Sequence, residues 1–444
     1  SQYSQGEFQQ TVITTTPTVT PSGNITMYVE KGWYPQEEEA KKWLATFFKK
    51  ETGISIELTS LSQQDLLNKI NVTMVAGNPP EIAWSTIIGD FQADFSWKGW
   101  YEDVGEFVDT LKSLDTFDWV IKAMEAFDGT QKKRIYAFLP IAGCNIPIHY
   151  WKDLLEMAGM PSNPNEIPTT SLDKLAQFFR EAQDKLWQKD PSTKGKVYGI
   201  GWPSLGGIGS LPGDGLQQMI HIMLWYGWKP LTEQGDVVMD SSENISAFAE
   251  AVEFVTSNLK GGYSPLGMLE WGSPDNNSAF NAKNIISVFN GTMSIPLYWY
   301  GQDKAVYFDK TATLPQFPGA VMWELLGWGL FRQSKNKELA KKFIKWFLQP
   351  DIINQFLKAS GGRYCPTSRA VLEMDSFWRN GYSTSGKKDP HLPTVYEMLI
   401  NGKNNIPHIY HWFGHPWGYQ DAYVLAAVHR VMKDGLTPLE AAKE

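Results

Sequence analysis

The chain has 444 residues and a formal net charge of −8, with 42% hydrophobic and 20% charged residues, a balance that allows large buried cores. The acidic balance, with no run of five or six like charges, argues against a nucleic-acid partner, and no stretch approaches the ~18 apolar residues of a membrane span. Aromatics reach 14%, with 19 Trp; because an indole N–H needs a partner when buried, some of these rings are expected at the surface or in a cleft.

Residues 1–23 are polar, with six Thr between positions 11 and 22 punctuated by Pro17 and Pro21. Such a segment cannot bury enough apolar surface to fold. It reads as a Thr/Pro stalk tethering the protein near the membrane, on the extracellular or periplasmic face, or simply as a disordered N-terminus. A signal segment is expected to have been removed or left out ahead of it.

From Asn24 the pattern becomes α/β, and the length suggests two or three domains. Residues 25–29 form an apolar strand, 32–35 a loop, and 36–50 an amphipathic helix with Ala40, Trp43, Leu44, Phe47 and Phe48 on one face. Glu37, Glu38 and Glu39 fall in its first turn and Lys49 and Lys50 in its last, as the helix dipole favours. Gly53 stops it and 54–58 form a second strand, so the unit is βαβ and the sheet should be largely parallel. A helix over 64–75, the breakers Gly77-Asn-Pro-Pro80 and a strand over 81–84 continue the cycle. Strands are predicted at 135–139, 145–150, 197–201 and 292–297. Helices are predicted at 172–186, opened by Thr170-x-x-Asp173, and at 338–348, closed by Pro350.

Ligands of open α/β sheets bind beyond the carboxyl ends of strands. These ends carry Glu30, Trp33 and Tyr34, then Trp84 and Ser85, then Trp202, then Trp299 and Tyr300. Indole and phenol rings suit the C–H face of a pyranose, and planar polar groups suit its hydroxyls. A sugar ligand is therefore expected, against the alternative that these rings plug the ends of the sheets.

Enzyme signatures are absent: no G-x-S-x-G, H-E-x-x-H or P-loop occurs. A glycoside hydrolase would need two facing carboxylates, for which Glu30, Glu81, Asp214 and Glu324 are candidates. The same acids with aromatics would suit a polyamine; a peptide is a further alternative ligand. His411 and His415 have helical metal spacing, but Gly414 and Pro416 oppose a helix there, and neither a metal nor a cofactor is expected. Cys144 and Cys365 allow one disulfide or two buried thiols. Asn-x-Ser/Thr sequons stand at Asn24, Asn71, Asn244, Asn276 and Asn290, a hint of a glycosylated surface protein.

Several segments resemble the extracellular solute-binding proteins of carbohydrate ABC importers, the maltose-binding-protein-like family. Ala76-Gly-Asn-Pro-Pro-Glu81 is similar to the family's G-x-P-P-D turn, with Glu81 in place of Asp. Tyr136-Ala-Phe-Leu-Pro-Ile-Ala142 with Ile148-His-Tyr-Trp-Lys-Asp-Leu154 resembles its first strand crossing, with Trp151 where Asn is usual. Phe289-Asn-Gly-Thr-Met-Ser294 followed by Trp299, Gly327-Trp-Gly329 followed by Ser334-Lys-Asn-Lys-Glu-Leu-Ala340, and Ile406-Pro-His-Ile-Tyr-His-Trp412 match later segments in order. The resemblance implies a two-lobed periplasmic-binding-protein-like α/β fold with hinge strands between lobes. One lobe would hold 24–141 and 316–361, the other 145–309 and 367–444, with crossings at 142–144, 310–315 and 362–366. It implies a monomeric, non-enzymatic receptor that closes on a mono- or oligosaccharide and delivers it to membrane permease subunits. Asn145 and Arg363 at crossings, Asp214, Trp328, and Trp412 or Trp417 join the expected ligand residues.

Overall fold

The computed structural model describes residues 23–144, 146–206, 214–232, 234, 236–290, 292–315, 324–384, 386–401 and 423–444. Among these, the strands run in chain order β1 Gly23–Glu30, β2 Ile54–Leu61, β3 Ile82–Ser85, β4 Glu125–Asp128, β5 Lys133–Tyr136, β6 Leu139–Cys144, β7 Ile148–Trp151, β8 Tyr198–Ile200, β9 Ile285–Phe289, β10 Thr311–Leu314, β11 Glu324–Leu330 and β12 Cys365–Pro366. The described residues divide into two compact units. The first holds 23–144 and Glu324–Arg379; the second holds those of Asn145–Trp323, Asn380–Pro407 and Trp417–Glu444. No described helix is long and apolar enough to cross a membrane.

The first unit is built on a six-stranded sheet in the order β12-β6-β11-β3-β1-β2. β1 lies parallel to both β2 and β3, whereas β11 runs antiparallel to β3 and β6, and β12 antiparallel to β6. The expectation of a largely parallel sheet therefore holds only for the opening βαβ units. The helix Pro35–Thr52 begins with Pro35 at its first position, where no N–H is needed, and ends at Gly53 in the left-handed region at φ 74°. Its apolar face meets the helix Lys337–Phe347, with Phe48 edge-on to Phe343 and against Trp346. Residues 367–379, expected in the second lobe, belong to the first unit. Thr367 donates its hydroxyl to Pro140 O at 2.7 Å, and Arg369 N donates to Asp115 O at 3.0 Å.

Both cysteines are buried in this sheet. Cys365 pairs in register with Gly143, so Cys144 and Cys365 project from opposite faces, a geometry that a disulfide does not span. Burial pushes the Cys365 thiol up to about 12. Both thiols should react with a maleimide reagent only after denaturation, and reductant should leave the melting temperature unchanged. Labelling of the folded protein, or a lower melting temperature in reductant, would contradict the register argument.

The second unit carries a four-stranded sheet in the order β10-β7-β9-β8, in which only β8 and β9 are parallel. The helix Leu172–Lys189 packs over it, capped by Ser171, one residue beyond the expected Thr170; the Ser171 side chain accepts from Lys174 N. The predicted strand over 292–297 is a correction: Ser294–Gln302 is a helix, and the strand precedes it as β9. Pro296 supplies the reason, since it is excluded from central strands but fits a helix's first turn. Thr292 Oγ1 accepts from Ser294 N at 3.1 Å and starts that turn.

Candidate ligand site

β1 and β3 are adjacent and in register, Val29 opposite Trp84, so both strands deliver their next residues, Glu30 and Ser85, to one end of the first unit's sheet. There Ser85 Oγ donates to Glu30 Oε1 at 2.8 Å while accepting from Ile87 N at 3.1 Å, capping the short helix Thr86–Asp90. Thr86 Oγ1 donates to the same Glu30 oxygen at 3.0 Å and accepts from Gln63 Nε2 at 2.6 Å. The other Glu30 oxygen accepts from the Tyr364 hydroxyl at 3.2 Å. Tyr364 in turn accepts from the Arg363 guanidinium at 2.7 Å, and Arg363 pairs with Glu37 at 2.6 Å.

Glu37 fixes the loop between β1 and the first helix. Its second oxygen accepts from Trp33 N at 2.6 Å and Tyr34 N at 3.0 Å. At Gly32 an added Cβ would lie 2.5 Å from the Glu37 Cβ, so only glycine lets the loop pass. Lys41 Nζ donates to Glu30 O at 2.5 Å and to Glu38 at 2.8 Å. Burial would lower the Arg363 pKa, but Glu37, Tyr364 and Tyr34 hold it above its ordinary value. Burial raises Tyr364 well above the ordinary phenol range, so it stays a donor toward Glu30. A cavity of about 20 Å³ lined by Glu30, Gly32, Lys41, Ser360, Arg363 and Tyr364 has room for a single water.

Of the rings expected here, Trp33 is 48% exposed. The Arg363 guanidinium lies 5.4 Å from its centroid, so the indole is held in place while much of it stays open. Three other rings expected here are buried, and of these Trp84 lines the small cavity beside Glu30. Trp84 and Trp328 are cross-strand partners, with centroids 4.7 Å apart, enclosed by Phe356 and, around Trp328, by Phe343 and Phe347. Tyr34 is equally buried. A central strand covered by helices encloses large rings on its faces, and these serve as core.

In the second unit Trp202 is core as well, which corrects its expected role. It lies 4.8 Å from Phe289, near Phe254, and donates Nε1 to Ser287 Oγ at 2.9 Å. Trp299 is half-buried on the helix Ser294–Gln302, with Nε1 donated to Asn281 Oδ1 at 2.9 Å and its ring edge-on to Trp151. Tyr300 is half-buried and stacked on Tyr382 at 4.0 Å. Asn145, Trp412, Trp417 and the pair His411 and His415 lie outside the described residues, as do the side chains of Asp214 and Glu324.

Two carboxylates weighed for hydrolysis separate. Glu81 stands at the opposite end of β3, accepting from Thr26 N at 2.9 Å, with burial raising its pKa. Thr26 and Glu30 stand four strand steps apart, about 13 Å, too far to flank one glycosidic bond. Gln63 went unmarked in the sequence, and Glu37 was marked only as a first-turn acid of the opening helix. Only Glu37 left a signal there, as an acid three residues into a helix opened by proline.

The chain resembles solved structures over nearly its whole length. An ABC transporter solute-binding protein from Thermotoga lettingae bound with α-D-tagatose has a TM-score of 0.67 at 19% identity, covering 95% of this chain and 97% of that one. A sugar transporter from Arthrobacter chlorophenolicus with bound laminaribiose has 0.67 at 16% identity, covering 95% and 97%. The sugar-binding protein MalE of Xanthomonas citri has 0.68 at 15% identity, covering 95% and 94%. No curated protein sequence matches the chain. The family described as bacterial extracellular solute-binding protein matches residues 43–394, most of the chain. With this sheet order in its first unit and that match, the chain belongs to the bacterial extracellular solute-binding protein family.

Proposed function

We propose that the protein is a carbohydrate receptor of an ABC importer, acting outside the cytoplasmic membrane and handing a mono- or oligosaccharide to membrane permease subunits without chemical change. The observations that carry this reading are the half-exposed Trp33, its ring against Arg363, and Glu30, whose carboxylate is oriented by Ser85, Thr86 and Tyr364, itself bonded to Arg363. A pyranose needs an apolar ring for its C–H face and fixed planar acceptors for its hydroxyls, and this cluster offers both. The tagatose, laminaribiose and MalE relatives support a sugar as the ligand class.

Thermal unfolding against mono- and oligosaccharides, with polyamines and peptides included, tests the reading. A sugar at 100 times its Kd adds roughly 2.7 kcal/mol, a shift of several degrees. Trp33→Ala should weaken that sugar about tenfold or more while leaving the ligand-free melting temperature within ~1 °C. A shift with polyamines or peptides alone would overturn the sugar assignment. Consumption of the sugar during the assay would overturn the receptor.

A further inference from the structure

The five sequons are not equivalent in the folded chain. Asn244, Asn276 and Asn290 are buried, at 5%, 0% and 2% exposure, and each spends its side-chain nitrogen internally. Asn244 Nδ2 donates to Lys229 O at 2.9 Å and Val238 O at 2.7 Å, using both protons. Asn276 Nδ2 donates to Phe289 O at 3.0 Å, and Asn290 Nδ2 to Ser294 Oγ at 2.9 Å. A glycan on Asn244 would remove an N–H that the core uses, and on any of the three it would need space that a buried position lacks.

Asn24 and Asn71 differ. Asn24 is exposed at the start of β1, where the period of two puts Thr26, the third sequon residue, on the same face. Asn71 is partly exposed on the helix Gln63–Val75. It shares that helix's open side with Val72 and Val75, which are 68% and 87% exposed. Asn71 and Val75 are four residues apart and so neighbours on the helix surface. A sugar attached at Asn71 would lie over this uncovered apolar pair.

We propose that Asn24 and Asn71 are the N-glycan acceptors of this protein, and that Asn244, Asn276 and Asn290 are structural asparagines that stay bare. The donor is a glycan carried on a polyprenyl phosphate or pyrophosphate. The Asn Nδ2 attacks the anomeric carbon, the C1–O bond to phosphate breaks, and the lipid phosphate leaves with the bonding electron pair. The amide nitrogen gives up one of its two protons as the N–C1 bond forms. In a helix, residues two apart point to different sides, so Asn71 must be modified before its helix folds, whereas Asn24 does not carry that restriction.

Peptide mass spectrometry of the protein purified from the organism that makes it is the test. Glycan mass on the Asn24 peptide, the Asn71 peptide or both, and on none of the other three, is expected. Glycan at Asn244, Asn276 or Asn290, or bare asparagine at both Asn24 and Asn71, overturns the proposal. A second arm uses protein made in a host without N-glycosylation. There Asn24→Gln and Asn71→Gln should move the melting temperature by less than ~1 °C, whereas Asn244→Gln and Asn276→Gln should lower it by about 3 °C or more. Equal small shifts for all four would remove the structural half of the proposal.

Discussion

Replacing Arg363 with Met, or Glu37 with Gln, should each destabilise the first unit by roughly 3–5 kcal/mol, the cost of leaving a buried charge or its partner groups uncompensated. Both side chains are almost wholly buried, at 4% and 8% exposure, and their ion pair measures 2.6 Å. Arg363 does not escape the penalty by deprotonating, because Glu37 outweighs burial and holds its pKa above the ordinary value. Each partner also serves a second group. Arg363 donates to Tyr364, which donates to Glu30, and Glu37 accepts from the backbone N–H of Trp33 and Tyr34. Urea unfolding of the two single variants and of Arg363→Met/Glu37→Gln gives the decisive comparison. The double variant should lose less than the sum of the singles by about 1–3 kcal/mol, as for groups sharing one network. Simple additivity would show that the pair is not coupled. Sugar affinity should fall in the same variants, because the loop carrying Trp33 loses its anchor.

What the sequence disclosed and what it withheld have separate physical causes. The opening βαβ was legible because Gly53, the acidic first turn and the apolar stripe of the first helix are local signals, read within one element. The helix Ser294–Gln302 was misread because an apolar run fits strand or buried helix alike, and only Pro296 could have arbitrated. Polar and aromatic residues were marked at the strand ends, and there Ser85 meets Glu30, which Tyr364 links to Arg363 and so to the Trp33 ring. Burial was the quantity that local sequence did not encode. Trp84 and Trp33 sit in similar contexts, just past or at the end of a strand, yet one is 3% and the other 48% exposed. The difference arises from β11, over 200 residues away, which lays Trp328 against Trp84. Glu37 was seen only as a helix-dipole acid, because its partner Arg363 is 326 positions distant.

Lowering the pH from about 6.5 to 4.5 should remove roughly 4–5 kcal/mol of stability from the second unit, through two buried histidines. His149 and His391 are both fully buried, their ring centroids are 6.3 Å apart, and both are lowered from 6.5 to about 3. Burial is the main cause for each, with His391 adding to the effect on His149 and Lys152 to that on His391. The hydrogen bonds of His391 agree with a neutral ring; at His149, Nε2 lies 3.5 Å from Thr292 O, a contact that works against the burial effect without reversing it. His391 Nε2 lies 3.0 Å from Tyr307 O, which can only accept, so the proton is on Nε2 and Nδ1 accepts. The Thr313 hydroxyl therefore donates to His391 Nδ1 at 2.6 Å and accepts from His149 Nδ1–H at 2.8 Å. Above pH 6.5 folded and unfolded states both hold neutral imidazoles, and there is no penalty. As the pH falls below 6.5 the unfolded chain binds protons that the folded chain refuses, and stability drops until the pH nears 3. Asp389 faces the same network and accepts from Tyr307, Tyr382 N, His391 N and Leu392 N. Burial nevertheless raises its pKa, so the folded state protonates Asp389 first and partly offsets the loss at the acid end. Urea midpoints measured between pH 7.5 and 4.5 should therefore fall with a slope near two protons, and His149→Gln should flatten that slope by about one. An unchanged slope in His149→Gln would mean that the acid loss comes from carboxylates elsewhere and that this imidazole already titrates in the folded protein.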